Sequence, residues 1–321
     1  MSIEIVHKIA DVATTSAVDA CWRQWRALGF PASATQNKEP TSIIDPEALV
    51  LLSTEVARHE HRLEDALAWW ARTASTLLSV QRASSLLRTF PPSTCEAFSL
   101  FAVEAYDAGD RRWKRYVGKG MLAEGRRTKG PGAPTLTSPT ALMLRLRAGF
   151  GVGVKTDLLT YLLGRRRHGA TIKEAHNALF YTAPALRTAA TEMALAALIR
   201  PDRERPVRYV ADLGLWRALA ANQEATTLAE QTNAILPVWY DWARLFAFLA
   251  DVLVWAERAQ TDGGTPYILS SRARDLVLPR LSTFTSNQID VPDPKIYKGE
   301  AYLEGFKSTV EAVTHWLTYR L

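Results

Sequence analysis

Residues 181–199 read Tyr181-Thr182-Ala183-Pro184-Ala185-Leu186-Arg187-Thr188-Ala189-Ala190-Thr191-Glu192-Met193-Ala194-Leu195-Ala196-Ala197-Leu198-Ile199. The spacing is that of a helix opened by an aromatic and a hydroxyl residue, with proline tolerated near its start. By position Thr182, Ala185, Arg187, Thr188 and Thr191 face outward. Alanine at 197 removes the easy left-handed cap that glycine would supply, so the helix is expected to end in another way. Just before this stretch, Thr171-Ile172-Lys173-Glu174 has the Ser/Thr-x-x-Glu form of a capping box and opens a second helix through Ala175, Ala178 and Leu179. Small Ala175 lets the two helices approach closely. Gly164 and Gly169 bracket a turn, and Lys155 to Leu163 gives a further helix that buries Leu158, Leu159 and Leu162. On the other side a basic loop, Arg200-Pro201-Asp202-Arg203-Glu204-Arg205-Pro206, returns through the strand-like Val207-Arg208-Tyr209-Val210.

Helical signals dominate the rest of the 321 residues. Val12 to Leu28 carries Val18, Cys21, Trp22, Trp25 and Leu28 at helical spacing. Asp45-Pro46 then opens a series of helices that runs to Tyr116, broken by Pro91-Pro92. Within that series Val80 to Arg88 is expected to expose Gln81, Arg82, Ser85 and Arg88. After residue 213, helices are expected over 215–228, 236–260, 270–284 and 300–319. Trp239, Trp242, Phe246, Leu249, Leu253 and Ala256 form one helical stripe, and Tyr302, Phe306, Val310, Val313 and Leu317 form another.

Composition sets the outer limits. With 47% hydrophobic and 22% charged residues, disorder is excluded as a whole-chain description. Two cysteines, Cys21 and Cys95, exclude a disulfide framework and are expected to be inert buried thiols. Glu4, Lys8 and Asp11 interrupt the apolar residues at the start, and longer apolar stretches are cut by Arg244, Asp251 or Glu257, so a cytoplasmic chain without membrane contact is expected.

The net charge of +6 is concentrated. Between Arg111 and Lys129 there are eight bases (Arg111, Arg112, Lys114, Arg115, Lys119, Arg126, Arg127, Lys129) against Glu124, a surplus of +7 that leaves the remainder at −1. A shorter run, Arg165-Arg166-Arg167-His168, follows. Local basic patches suit polyanions, because each neutralised phosphate releases counterions.

Several patterns point away from catalysis and cofactors. Gly149-Phe150-Gly151-Val152-Gly153 lacks the remaining glycine, the preceding strand and the Gly-Lys-Ser/Thr of nucleotide loops, and reads as a bend. The six histidines are scattered, and His59-x-His61 does not place two imidazoles on one helix face. Glu55, Glu60, Glu64 and Asp65 read as a solvated helix face. No Gly-x-Ser-x-Gly is present, so no enzyme, metal or cofactor is expected.

From Val154 to Val210 the order is helix, turn, helix, tight turn, helix, basic loop, strand. With Tyr181, Thr182, Leu186 and Ala196-Ala197-Leu198-Ile199 at their places, this segment resembles bacterial winged helix-turn-helix transcriptional regulators of the MarR, ArsR and GntR-like groups. The resemblance implies a helix in the DNA major groove and a wing on the flanking backbone. It implies base or phosphate contacts from Thr182, Arg187, Thr188 and Thr191, with Arg187 able to grip a guanine edge with two hydrogen bonds. Lys155, Lys173, Arg203 and Arg205 would meet phosphates, joined by Arg111, Arg112, Lys114, Arg115, Arg126, Arg127 and Lys129 from the basic run.

The expected architecture is mainly α, with an N-terminal helical domain (1–117), a basic linker (118–139), a central winged helix-turn-helix (140–213) and a C-terminal helical domain (214–321). The expected function is a DNA-binding repressor of its own or a neighbouring operon, acting as a homodimer on double-stranded DNA through a seam at 239–253 and 302–317. The alternative is an adaptor or antitoxin-like protein of a two-component defence module, its winged unit bound to a protein partner.

Overall fold

Val6, Ile9, Ala13, Ala17, Cys21 and Trp25 lie at three- and four-residue steps, and all are buried along one side of the helix α1 (Ser2–Ala27). The computed structural model describes residues 2–31, 40–118, 132–202, 205–214, 216 and 236–320. Asp45 caps the next helix, α2 (Pro46–Val56), by accepting the Ala48 N–H at 3.1 Å. Every residue of α2 is buried, polar ones included, so it runs through the middle of the molecule. Around it pack α3 (Arg62–Thr73), α4 (Val80–Leu87) and α5 (Pro92–Asp107).

A smaller unit follows. It comprises α6 (Leu142–Phe150), α7 (Val154–Arg165), β1 (Ala170–Thr171), α8 (Ile172–Leu179), α9 (Ala183–Leu195), β2 (Ile199–Pro201) and β3 (Arg208–Ala211). Its sheet is antiparallel with β3 in the centre; Ala170 pairs with Tyr209 on one side, and Arg200 with Val210 on the other. The chain then returns to the larger body as α10 (Trp242–Thr261), α11 (Pro266–Val277), α12 (Leu281–Ser286) and α13 (Tyr302–Arg320). The fold is mainly α with one small sheet. Among the described residues no helix is long and apolar enough to cross a membrane.

The buried apolar side chains form two clusters, and their division differs from the expected one. One cluster joins α1–α5 to α10, α11 and α13, with α1 laid against α10 and α13. Helices α1–α5 and α10–α13 therefore share one core, although separate N- and C-terminal domains were expected from the linear order of helices. The second cluster belongs to α6–α9 and the sheet, completed by Ile43, Leu236 and Trp239.

The physical reason is the aromatic stripe. Trp242, Phe246, Leu249 and Leu253 of α10, with Tyr302, Phe306, Val310, Val313 and Leu317 of α13, are buried against α1 and one another within a single chain. They offer no dimer seam, because their apolar surface is already removed from water.

Other expectations change for similar reasons. The basic run begins, within the expected N-terminal helical region, as a short 3₁₀ helix, Arg111–Tyr116, whose Trp113 is fully buried against Phe98 and Phe101. The end of the expected linker is held to the helical body by two hydrogen bonds: Trp69 Nε1 donates to the Gly132 carbonyl at 2.9 Å, and Thr135 N to Leu28 O at 2.9 Å. Cys21 is buried as expected, but Cys95 is exposed on α5. Glu55 is no part of a solvated face: it is buried, paired with Arg58 and bound by Ser93 and Thr94. The helix expected over 215–228 falls outside the described residues, apart from Trp216.

Candidate nucleic-acid interface

Two glycines set the turn that leads into the site. A Cβ on Gly164 would come within 2.7 Å of Trp239 Cβ, so α7 can lie tight on the 236–239 segment only with glycine there. Gly169 has φ +54°, and a Cβ there would strike the Tyr209 carbonyl of β3. The capping box forms as expected: Thr171 Oγ1 accepts the Glu174 N–H at 3.1 Å, and Glu174 accepts the Thr171 N–H at 2.7 Å. A left-handed Phe180 then ends α8, and buried Tyr181 anchors the turn before α9.

Thr182 caps α9 by accepting the Ala185 N–H at 3.4 Å. Leu186, Ala189, Ala190 and Met193 face the core, while Thr182, Arg187, Thr188 and Thr191 are exposed together on the opposite face and Ala185 is half-buried. Lys173 is exposed on α8, and Arg205 is exposed in the hairpin. Lys155 is exposed too, but it pairs with Glu192 at 2.7 Å. That pair neutralises the acid at the end of the α9 face. Arg203, like Lys119, Arg126, Arg127 and Lys129, lies outside the described residues.

The helix ends differently from its expected course. Ala197 adopts φ +56° despite its Cβ, the Ala197 N–H donates to Ala194 O and the Leu198 N–H to Met193 O, both at 3.0 Å. This is the left-handed cap that glycine ordinarily makes. The reading from the sequence also passed over Arg208, which ties β3 to α8 through Glu174 at 3.1 Å and donates to the carbonyls of His168 and Gly169.

The basic residues at 111–115 divide. Arg112 is a structural side chain: it pairs with Asp110 at 2.7 Å and donates to Ser75 O and Leu78 O. Burial alone would raise the Asp110 carboxyl, but the hydrogen bonds and charge of Arg112 outweigh it and hold the group below its ordinary value. Arg111 is exposed and stacks over Tyr106, and Lys114 is exposed. Arg115 donates to Val80 O at 3.0 Å and stacks on Tyr116. The hydroxyl of Ser79, the residue before Val80, lies 3.2 Å from that of Tyr181. The structure thus ties Arg115 to the start of α4, and the start of α4 to buried Tyr181. Gln81 and Arg88 are exposed on α4 and Ser85 is half-buried, but Arg82, expected outside, is wholly buried.

Arg82 belongs to a network that no local pattern announces. Its guanidinium binds Asp45 and Glu47 at 2.5 Å, and Arg147 binds Glu47 at 2.6 Å and Asp157 at 2.8 Å. Tyr181 donates to Asp157 at 2.8 Å, and the Ser79 N–H to Glu47 at 2.7 Å. Burial would raise the Glu47 carboxyl, yet Arg147 and Arg82 reverse this and hold it below its ordinary value. The Tyr181 phenol is raised, by burial first and then by Asp157. All five charged side chains are buried, so the network positions α9 through Tyr181 but cannot touch a macromolecule.

Among the described residues no three His, Cys, Asp or Glu side chains are grouped to hold a metal ion. Comparison with family models, with curated proteins and with solved structures finds no match to this chain.

Proposed function

We propose that the chain is a DNA-binding transcriptional regulator, with α9 as the helix that enters the major groove and the β2–β3 hairpin as a wing. The observation that carries this reading is the outer face of α9, where Thr182, Arg187, Thr188 and Thr191 stand exposed together and the one acid beside them, Glu192, is paired with Lys155. Support comes from the element order α7–β1–α8–α9–β2–β3 with β3 central, which is the order of a winged helix-turn-helix. Exposed Lys114 and Arg115 would extend the contact to flanking phosphates. A repressor working as a homodimer is the form we infer, with its seam elsewhere than the buried faces of α10 and α13.

The test is binding of the purified protein to its own upstream DNA and to a scrambled duplex of equal length, at 50 and 200 mM salt, by fluorescence anisotropy. Preference for the upstream duplex, with steep loss at the higher salt, is expected. Arg187→Ala is expected to erase about 1 to 3 kcal/mol of that preference. Absence of binding to either duplex would sink the reading. One observation favours a second: Leu195, at the end of α9, is 89% exposed and Phe150 is 61% exposed. Large apolar side chains so placed suit a protein partner, as an adaptor would require.

A further inference from the structure

The larger body carries a cleft of about 390 Å³, walled by Tyr267, Ser271 and Arg274 of α11 and by Lys295, Tyr297 and Lys298 of the loop that leads to α13. That volume lies within the range of about 300 to 1,000 Å³ usual for small-ligand pockets. None of the lining residues is acidic. Three cations meet there, and among the described residues none of them has a carboxylate partner, whereas Arg72, Arg244 and Arg280 of the same body are each paired with one. Like charges gathered without a counter-charge repel one another, so an anion in the cleft would relieve them.

The loop is pinned to the helix. Arg274, its guanidinium over the Tyr302 ring, donates to the carbonyls of Pro294 at 3.1 Å and Tyr297 at 2.7 Å, and buried Ser270 donates to Glu300 O at 3.1 Å. Tyr297 is seated on α13 at Gly305, where a Cβ would come within 2.6 Å of its ring. These contacts fix the framework and leave other groups open. Lys295, Lys298 and Ser271 are exposed, and no ammonium or hydroxyl of theirs has a partner among the described residues. The acids on either side of the two lysines, Asp293 and Glu300, do not line the cleft, and Asp293 accepts the backbone N–H of Lys295 at 2.9 Å. Tyr267 is 64% exposed, so most of its ring is uncovered within the chain.

We propose that this cleft binds a free nucleotide, its phosphates on Lys295, Lys298 and Ser271 and its base stacked on Tyr267. Two ammonium groups and a hydroxyl can turn toward phosphate oxygens, and the fixed Arg274 adds charge behind them. A single phosphate ester carries about −1.5 to −2, short of the +3 of the three cations, so a nucleoside diphosphate matches better than a monophosphate. An exposed aromatic ring accepts any base by stacking. The site shares no residue with the outer face of α9 and does not rest on the DNA-binding reading.

The experiment titrates the full chain at about 50 mM salt, with no divalent metal added, and reads calorimetric heat and the shift in Tm. The probes are the mono- and diphosphates of adenosine, guanosine, cytidine and uridine, inorganic pyrophosphate and a short oligothymidylate. Saturable binding of at least one nucleoside diphosphate is expected. Its monophosphate should bind about tenfold or more weaker for want of charged hydrogen bonds, and pyrophosphate likewise for want of the stacked base. Lys295→Ala combined with Lys298→Ala is expected to weaken binding about tenfold or more at an unchanged urea midpoint, since both side chains are exposed. Tyr267→Ala should weaken the nucleotide and leave pyrophosphate unchanged. No heat and no Tm shift with any probe at about 10 mM would overturn the proposal. Pyrophosphate as tight as the diphosphates would make the cleft a bare anion site and overturn the nucleotide assignment. Undiminished binding to the folded double variant, or loss on Arg187→Ala instead, would place the ligand elsewhere and overturn the site. An oligothymidylate bound more tightly than any nucleotide, and released by the same double variant, would make the cleft a path for a single strand and overturn the free-ligand assignment.

Discussion

Ala197 carries the end of α9 at φ +56°, a conformation in which an L side chain meets the following carbonyl at a cost of about 1 to 2 kcal/mol. Glycine removes that cost but loses more conformational freedom on folding, by about 0.5 to 1 kcal/mol. The difference favours glycine. Ala197→Gly is therefore expected to stabilise the protein by about 0.5 to 1 kcal/mol, seen as a higher urea midpoint with an unchanged slope. An unchanged or lower midpoint would mean that Ala197 packs through its methyl group. The same scale separates two arginines that look alike in sequence: Arg187 stands in solvent, whereas Arg82 is sealed between Asp45 and Glu47. Both stand in the first two turns of a helix behind a hydroxyl cap, Thr182 and Ser79. Only the partners, 35 and 37 residues distant for Arg82, distinguish them.

At the scale of elements, α8 is a short helix whose start rests on reciprocal hydrogen bonds between Thr171 and Glu174. Thr171→Ala removes the acceptor for the Glu174 N–H and is expected to cost about 1 kcal/mol, measured by urea unfolding, whereas Thr171→Ser should retain most of it. Loss below a few tenths would mean that Arg208, bound to Glu174, holds the helix alone. This cap was legible because its signal is local, as were Asp45-Pro46 at the start of α2 and the apolar steps along α10. What lay hidden was long-range. Glu55 reads as solvated because a carboxylate on a helix usually is, but α2 is enclosed on every side, and Ser93 and Thr94 of α5 supply its donors. Likewise an aromatic stripe states that α10 must bury one side; it does not say whether the cover is a second copy or α1 of the same chain. The outer face of α9 was legible for the opposite reason: its threonines and Arg187 alternate with buried residues at helical spacing within one element.

At the scale of the molecule, the two apolar clusters are joined by two arginines and three carboxylates, buried, with a formal balance of −1. The N-terminal ends of α2, α4 and α7 all meet there, since Asp45 and Glu47 begin α2, Ser79 caps α4 and Asp157 lies in the first turn of α7. Their dipoles supply the missing positive potential. Removing one partner strands the others: Arg147→Met should cost about 3 to 5 kcal/mol at pH 7. The pH dependence gives the sharper test. In the native chain Glu47 lies below its ordinary value of 4.5, so its contribution is present above that pH and is lost as pH falls through the folded value. In Arg147→Met a single guanidinium faces three buried carboxylates, which lifts at least one of them above its unfolded value. The variant then takes up a proton on folding and gains stability as pH falls, while the native chain does not. The gap between the two, measured by urea unfolding from pH 7 to about pH 5, should therefore narrow on acidification. A gap independent of pH would show that the carboxylates keep their charge without Arg147, and that the helix ends alone carry the balance.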